Sequence, residues 1–511
     1  MLEDKGPMTS LKKKLYQLII GRLDGDQLSV PSYREKISGL AVKGIGGFIV
    51  FGGDSDEVQY FISEIQSISD ISLFIASDVE RGVGQQLRGS TLFPCQMAIS
   101  AAIDKSNPAD VAILRDAVMA LADEAINIGI NMLLIPVLDV NSNPDNPIIC
   151  TRAFSDNPES VAWFGAHYID ILESSGLISC AKHFPGHGDT SADSHILLPV
   201  IDKPYTDLIN TDIMPFKEAI DKGVGSIMVG HLSVSAIDER PASLSGKIIT
   251  DLLRGELGFK GLILTDALNM HALKDAGTVS VKCLKAGADI LLHPIDPDMT
   301  VNEMISAVES GEIGEEQVDA AVYRILRAKA RLTKTEKSTI DYRGHEQLSF
   351  HITEKSVSLL KDTPGLFPLR EKSQVCVIFA GDVEMYNTSP LKKHFEMCMP
   401  LQEIVQRAPS FIPTLVSGCA TFIFAIFTSV SAWKGSSGIS EHEKDMIFDL
   451  MKKAENSIVI SFGSPYVLRH FREADILIAA YESTEQAQKA VLRCLEGELD
   501  FRGRIPVRIN L

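Results

Sequence analysis

The feature that most constrains this chain is a succession of short, almost uninterrupted apolar runs separated by stretches of helical period. The runs fall at 45–51, 73–78, 132–139, 177–181, 226–231, 262–266 and 288–293, and amphipathic segments at 111–128, 158–174 and 250–257 lie between them. A strand that is apolar along its whole length must be covered on both faces, which implies a parallel sheet with helices packed over it. Seven such strands between residues 45 and 293 fit a closed (β/α)8 barrel of the TIM type with one strand unread, better than an open sheet. Past residue 332 the chain turns polar and loses its period, then resumes with runs at 375–380, 421–427, 458–462 and 476–481 and a helical pattern at 442–453. The expected organisation is a barrel domain over 1–335, a linker over 336–352 and a second α/β sandwich domain over 353–511.

Length and charge narrow the function classes. A chain of 511 residues exceeds what one core usually serves, so more than one domain is expected. Its 49 basic and 67 acidic residues give a formal charge of -18, which repels nucleic acid and anionic membranes. The eight cysteines, at 95, 150, 180, 283, 376, 398, 419 and 494, show no CxxC spacing, and several sit in apolar runs where a thiol packs as a small hydrophobe. They point to a reducing compartment. After Lys12, Lys13 and Lys14 only 15–20 is apolar, too short for a secretory core, and no run is long enough to span a membrane. A cytoplasmic protein without a membrane span is the expectation.

Four of the strands end in a polar residue: Asp78, Asp139, His231 and Asp266. A fifth runs directly into Lys182 and His183. One such residue is ordinary capping of the next helix, but several together converge on the mouth of a closed barrel. The segment 182–195 (KHFPGHGDTSADSH) is the densest, with three His, two Asp and one Lys. Pro185, Gly186 and Gly188 argue against regular structure through it, so its polar groups are expected on a loop at the strand's carboxyl end. His183 and His187 are four apart, a metal-ligand spacing only on a helix, which Pro185 and Gly186 forbid; no metal is expected. Gly82 and Gly84 do not complete a GxGxxG, so no nicotinamide or flavin cofactor is expected either. His231 suits a pocket wall or a satisfied core position equally well, and His271 reads as structural.

The segment 182–190 followed by Asp193, Ser194 and His195 closely resembles the signature of β-N-acetylglucosaminidases of glycoside hydrolase family 3. Residues 264–270 (LTDALNM) resemble that family's nucleophile segment, and 152–155 (RAFS) a substrate-binding stretch. Residues 462–466 (FGSPY) and 503–507 (GRIPV) extend the likeness through the second domain. The resemblance implies a retaining exo-β-N-acetylglucosaminidase that releases terminal N-acetylglucosamine, with Asp266 as nucleophile and His195, paired with Asp193, as general acid/base. It further implies sugar contacts from Asp78, Arg152, Lys182 and His183, to which His231 is added as a candidate from its place at a strand end. Retaining hydrolysis needs an attacking carboxylate and a group that protonates the leaving oxygen and later activates water. An imidazole does the second task near neutral pH without the burial a Glu requires. One departure stands out: Gln86 occupies a position where the family usually has Arg, and Arg88 is the nearby guanidinium expected to substitute for it.

Phosphorolysis in place of hydrolysis remains open, as does β-glucosidase activity with an acid/base Glu from the second domain, although the intact Asp193 and His195 weigh against the latter. A sugar-binding module without catalysis is opposed by the joint presence of Asp266, Asp193 and His195. The expected partner is a carbohydrate, a peptidoglycan-derived fragment or a chitin oligomer, with no nucleic acid. The second domain is expected to be structural, and the oligomeric state is not legible.

Overall fold

The computed structural model describes residues 10–191, 198–270, 278–332, 339–369, 372–406, 418–430, 434 and 436–511. The chain gathers into two units: Met1–Phe93, Arg115–Val140 and Pro158–His345 form the first, and Pro94–Leu114, Asn141–Asn157 and Glu346–Leu511 the second.

In the first unit eight parallel strands form a ring: β1 (Ile19–Asp24), β2 (Gly47–Phe51), β3 (Phe74–Ser77), β4 (Met132–Leu133), β5 (Ile178–Phe184), β6 (Ser226–Val229), β7 (Leu262–Thr265) and β8 (Leu291–Leu292). Each pairs with the next in the chain, β8 returns to β1, and a bridge from Leu264 to Ile290 joins β7 to the approach to β8. This is the expected (β/α)8 barrel. The unread strand is β1, whose sequence IIGRLD follows a helix directly and carries Gly21 and Arg22 in its middle, so its apolar run is broken.

Two details of the ladder set up the mouth. β4 is only two residues long because Pro136 has no N–H to give, yet the chain still runs beside β5 as far as Leu138, whose N–H donates to the Lys182 carbonyl (2.7 Å). β5 itself continues through Lys182 and His183 to Phe184, so these two residues close a strand and do not begin a loop as expected. Its pairing with β6 slips between Ala181 and Phe184, an irregularity of the kind that re-aims side chains at a barrel rim. Pro185 then ends the strand.

At the opposite, amino-terminal end of the strands, Asp289 is fully buried and binds Arg254 (2.5 Å), Arg324 (2.7 Å) and the N–H of Ile263 (2.9 Å). These contacts tie two outer helices to β7 and the approach to β8. Nearby Lys329, at the end of helix Glu315–Lys329, buries its ammonium against Gln17 Oε1 (2.9 Å), the Gly46 carbonyl (2.8 Å) and the face of Phe74 (4.8 Å).

Among the described residues the second unit has a sheet of six strands, β9 (Ser358–Lys361), β10 (Val375–Gly381), β11 (Met397–Pro400), β12 (Thr421–Phe427), β13 (Asn456–Phe462) and β14 (Ile476–Ala479), in the order β9-β14-β13-β12-β10-β11. All pair in parallel except β9 with β14. Apolar clusters cover both faces, one around Phe422, Phe424 and Tyr481, the other around Phe379, Phe427 and Phe462. Two segments that fall early in the chain join this unit through polar contacts: Asn141 Nδ2 donates to Tyr466 Oη (2.9 Å), Ser155 Oγ to the Pro506 carbonyl (2.5 Å), and Lys355 pairs with Asp110 (2.8 Å). Much of the stretch expected as linker is helical, within Tyr342–Ser356, because Ser349, Ile352 and Thr353 find buried positions. Among the described residues no helix is long and apolar enough to cross a membrane.

Candidate active site

The carboxyl ends of β3, β4, β5 and β7 carry Asp78, Asp139, Lys182, His183 and Asp266. Lys182 at the end of β5 is almost wholly buried, and its ammonium lies 2.7 Å from Asp78, just past β3, and 2.7 Å from Glu80. Burying a cation is costly unless it is paired, and here two carboxylates share the task. Asp78 remains 30% exposed, so part of its carboxylate still faces outward. Gln86 donates its amide to the Asp78 backbone carbonyl (3.0 Å), so it supports the main chain at that point.

Beside this pair stands a histidine–aspartate arrangement. Asp139 is fully buried, with Oδ2 2.7 Å from His183 Nδ1, while Oδ1 accepts the N–H groups of His183 (3.2 Å) and His187 (2.6 Å). Burial alone would raise the Asp139 carboxyl, but the adjoining His183, its hydrogen bond and His187 outweigh burial and hold it below the usual carboxylate range. The His187 ring packs edge-on to His183 with centroids 6.0 Å apart and shares a hydrogen bond with Thr190 Oγ1 (2.8 Å). Burial pushes His187 down to about 4, so it is neutral at physiological pH.

Asp266 follows β7 directly. Its N–H donates to the Val229 carbonyl (3.0 Å) and its Oδ1 accepts the N–H of Ala267 (2.7 Å), so main-chain bonds on both sides fix the carboxylate. His231, after β6, is fully buried and has both ring nitrogens engaged, Nδ1 with Ser243 Oγ (2.8 Å) and Nε2 donating to the Ala267 carbonyl (3.2 Å). It braces the residue next to Asp266. The thiol of Cys180, two residues before Lys182 on β5, is fully buried, and the charges of Lys182, Asp78 and Asp266 act on it. Burial pushes that thiol up to about 12, so it stays uncharged.

Other residues fall elsewhere. Arg88, expected to stand in for the missing family arginine, is exposed and pairs with Asp26 at 2.7 Å. Arg152 belongs to the second unit, in the turn Cys150–Arg152, where it donates to the Ile148 carbonyl (3.0 Å). Asp193 and His195 lie outside the described residues, as does His271. Sequence reasoning missed Glu80, whose signal was its spacing of two from Asp78 on extended chain. It also missed Arg22 on β1, Phe51 at the end of β2 and His293 just past β8. Arg22 sits over the Phe51 ring (4.8 Å), and both Arg22 and Asp78 influence His293, which burial lowers to about 4.

The family model described as the glycosyl hydrolase family 3 N terminal domain matches residues 10–328. β-Hexosaminidase A of Pseudoalteromonas piscicida is 32% identical over 379 residues, a match that covers 66% of this chain and 63% of that relative's length. The β-N-acetylglucosaminidase/β-glucosidase of Cellulomonas fimi is 25% identical over 513 residues, covering 91% of this chain and 88% of the relative. Among solved structures, a glycoside hydrolase family 3 β-N-acetylglucosaminidase from Paenibacillus sp. str. FPU-7 shares 28% identity with a TM-score of 0.82, over 98% of this chain and 99% of that one. A family match that spans the barrel strand by strand decides the kinship: this chain belongs to glycosyl hydrolase family 3.

Proposed function

We propose that the chain is a retaining exo-β-N-acetylglucosaminidase. Asp266 attacks the anomeric carbon as the bond to the leaving oxygen breaks, and His195 gives that oxygen its proton. Water then attacks the same carbon, His195 takes the water's proton, and the ester to Asp266 breaks. Asp193 orients the ring and favours its protonated form, as the aspartate of a hydrolase triad does. Asp78, Lys182 and His183 grip the sugar. The observation that supports this reading is the ion pair of Lys182, at the carboxyl end of β5, with Asp78, just past β3, in the same ring of parallel strands whose β7 runs into the main-chain-held carboxylate of Asp266. Peptidoglycan-derived fragments within the cytoplasm are the substrate we favour. Action on β-glucosides as well is a second reading, motivated by the dual name of the Cellulomonas fimi relative.

The test is turnover of an aryl N-acetyl-β-glucosaminide and an aryl β-glucoside by wild type, Asp266→Asn and His195→Ala, with and without phosphate. The N-acetylglucosaminide is expected to be preferred. Asp266→Asn is expected to lose about a thousandfold or more in kcat, and His195→Ala to flatten the pH profile. Turnover that requires phosphate would identify phosphate as the acceptor. Turnover of neither glycoside by the wild type sinks the assignment.

A further inference from the structure

The Asp139–His183 pair has a consequence for substrate binding that the strand-end residues alone do not supply. An ionised carboxylate can only accept hydrogen bonds, and Asp139 accepts three: two from backbone N–H groups at Oδ1 and one at Oδ2. The His183 nitrogen at Oδ2 must therefore be the donor, so Nδ1 carries a hydrogen whatever the charge of the ring. Among the described residues no protein group takes up the other nitrogen, Nε2. Asp139 itself is fully buried and out of reach of a ligand in the mouth.

We propose that Asp139 is a positioning residue that locks His183 with its hydrogen on Nδ1, so that Nε2 meets a hydroxyl of the bound sugar as an acceptor when the ring is neutral. This rests on the proposed glycosidase function and adds a residue that acts only through another. An asparagine at 139 has nearly the same shape but one acceptor and one donor. The two backbone N–H groups at Oδ1 claim its oxygen, which leaves its NH2 facing His183 Nδ1. That nitrogen must then accept, and the hydrogen moves to Nε2, the side that faces substrate.

The experiment is a double-mutant cycle on kcat/KM with an aryl N-acetyl-β-glucosaminide: wild type, Asp139→Asn, His183→Ala and the double variant, each checked by its melting curve. Asp139→Asn is expected to lose about 100-fold in kcat/KM, and to lose less than about threefold further when His183 is already Ala. Losses that multiply across the cycle would mean that Asp139 acts on the fold and not through His183, and would overturn the inference. The tautomer is also read in the wild type alone, from nitrogen-15 spectra of labelled histidines with His183 assigned by its loss in His183→Ala. A hydrogen on Nδ1 supports the inference, and a neutral ring with its hydrogen on Nε2 overturns it even if Asp139→Asn does not fold. The two levels separate cleanly: a wild type that turns over no glycoside removes the functional reading and this inference with it, whereas an active wild type with multiplicative losses removes this inference alone.

Discussion

Lys182 shows how much one residue's surroundings decide. Its type and its place after an apolar run marked it in the sequence, but not the second carboxylate that lets it stay charged in a buried position. Glu80 supplies that carboxylate at 2.7 Å, so Asp78 is not the ammonium's sole counterion and can turn part of its charge toward a ligand. Glu80→Gln keeps a hydrogen-bond acceptor and removes the charge, leaving Asp78 to balance Lys182 alone. The expected result is a KM for the aryl N-acetylglucosaminide raised by about tenfold, with kcat changed by less than about twofold, because the loss falls on ground state and transition state alike. Michaelis curves for the two proteins check it. Arg88 teaches the converse. Proximity in sequence to Gln86 suggested a substitute guanidinium, but Asp26, sixty-two residues away, holds it on the surface, a contact that no local pattern could announce.

At the scale of elements, the strands were legible wherever they are buried on both faces, since only there does apolar character run unbroken. β1 escaped notice because Gly21 and the exposed Arg22 break its apolar run in the middle. β9 and β11 escaped for a related reason: both lie at the edges of the second sheet, and most of their side chains are only half buried. The end of β5 was misjudged because Pro185 and Gly186 forbid a strand through themselves but not up to themselves. The amino-terminal end of the barrel depends on a contact of a different kind. Asp289 holds two arginines from separate helices, and although burial raises its carboxyl, both cations favour the charged form. Asp289→Ala would leave those charges uncompensated at a partly buried site. It is expected to cost about 3–5 kcal/mol of stability, read from denaturant unfolding, with KM unchanged.

For the whole molecule, the parallel barrel and the second sheet were readable from periodicity, and the family from the segments around residues 182 and 264. What could not be read was which distant segments cooperate. Residues 94–114 and 141–157 interrupt the barrel's sequence yet pack with the second unit, because Asn141, Ser155 and Asp110 find polar partners there. Such pairings are decided by side chains hundreds of positions apart, not by any local repeat.

Lys329 carries a consequence for the conditions under which the fold is sturdiest. Burial lowers its ammonium to about 7, far below a free lysine. Between that value and the ordinary lysine range the unfolded chain holds a proton that the folded chain does not, so this residue makes stability rise with increasing pH across the interval. Below about pH 7 both states are protonated, and the fold bears the full cost of a charge enclosed by two neutral acceptors and an aromatic face. The melting temperature of the wild type relative to Lys329→Met is therefore expected to climb from pH 6.5 to pH 9.5. A difference that stays constant over that range would show the amine to be fully charged throughout. The end of the barrel opposite its mouth thus acts as an alkaline counterweight, firmest where the buried ammonium has given up its proton.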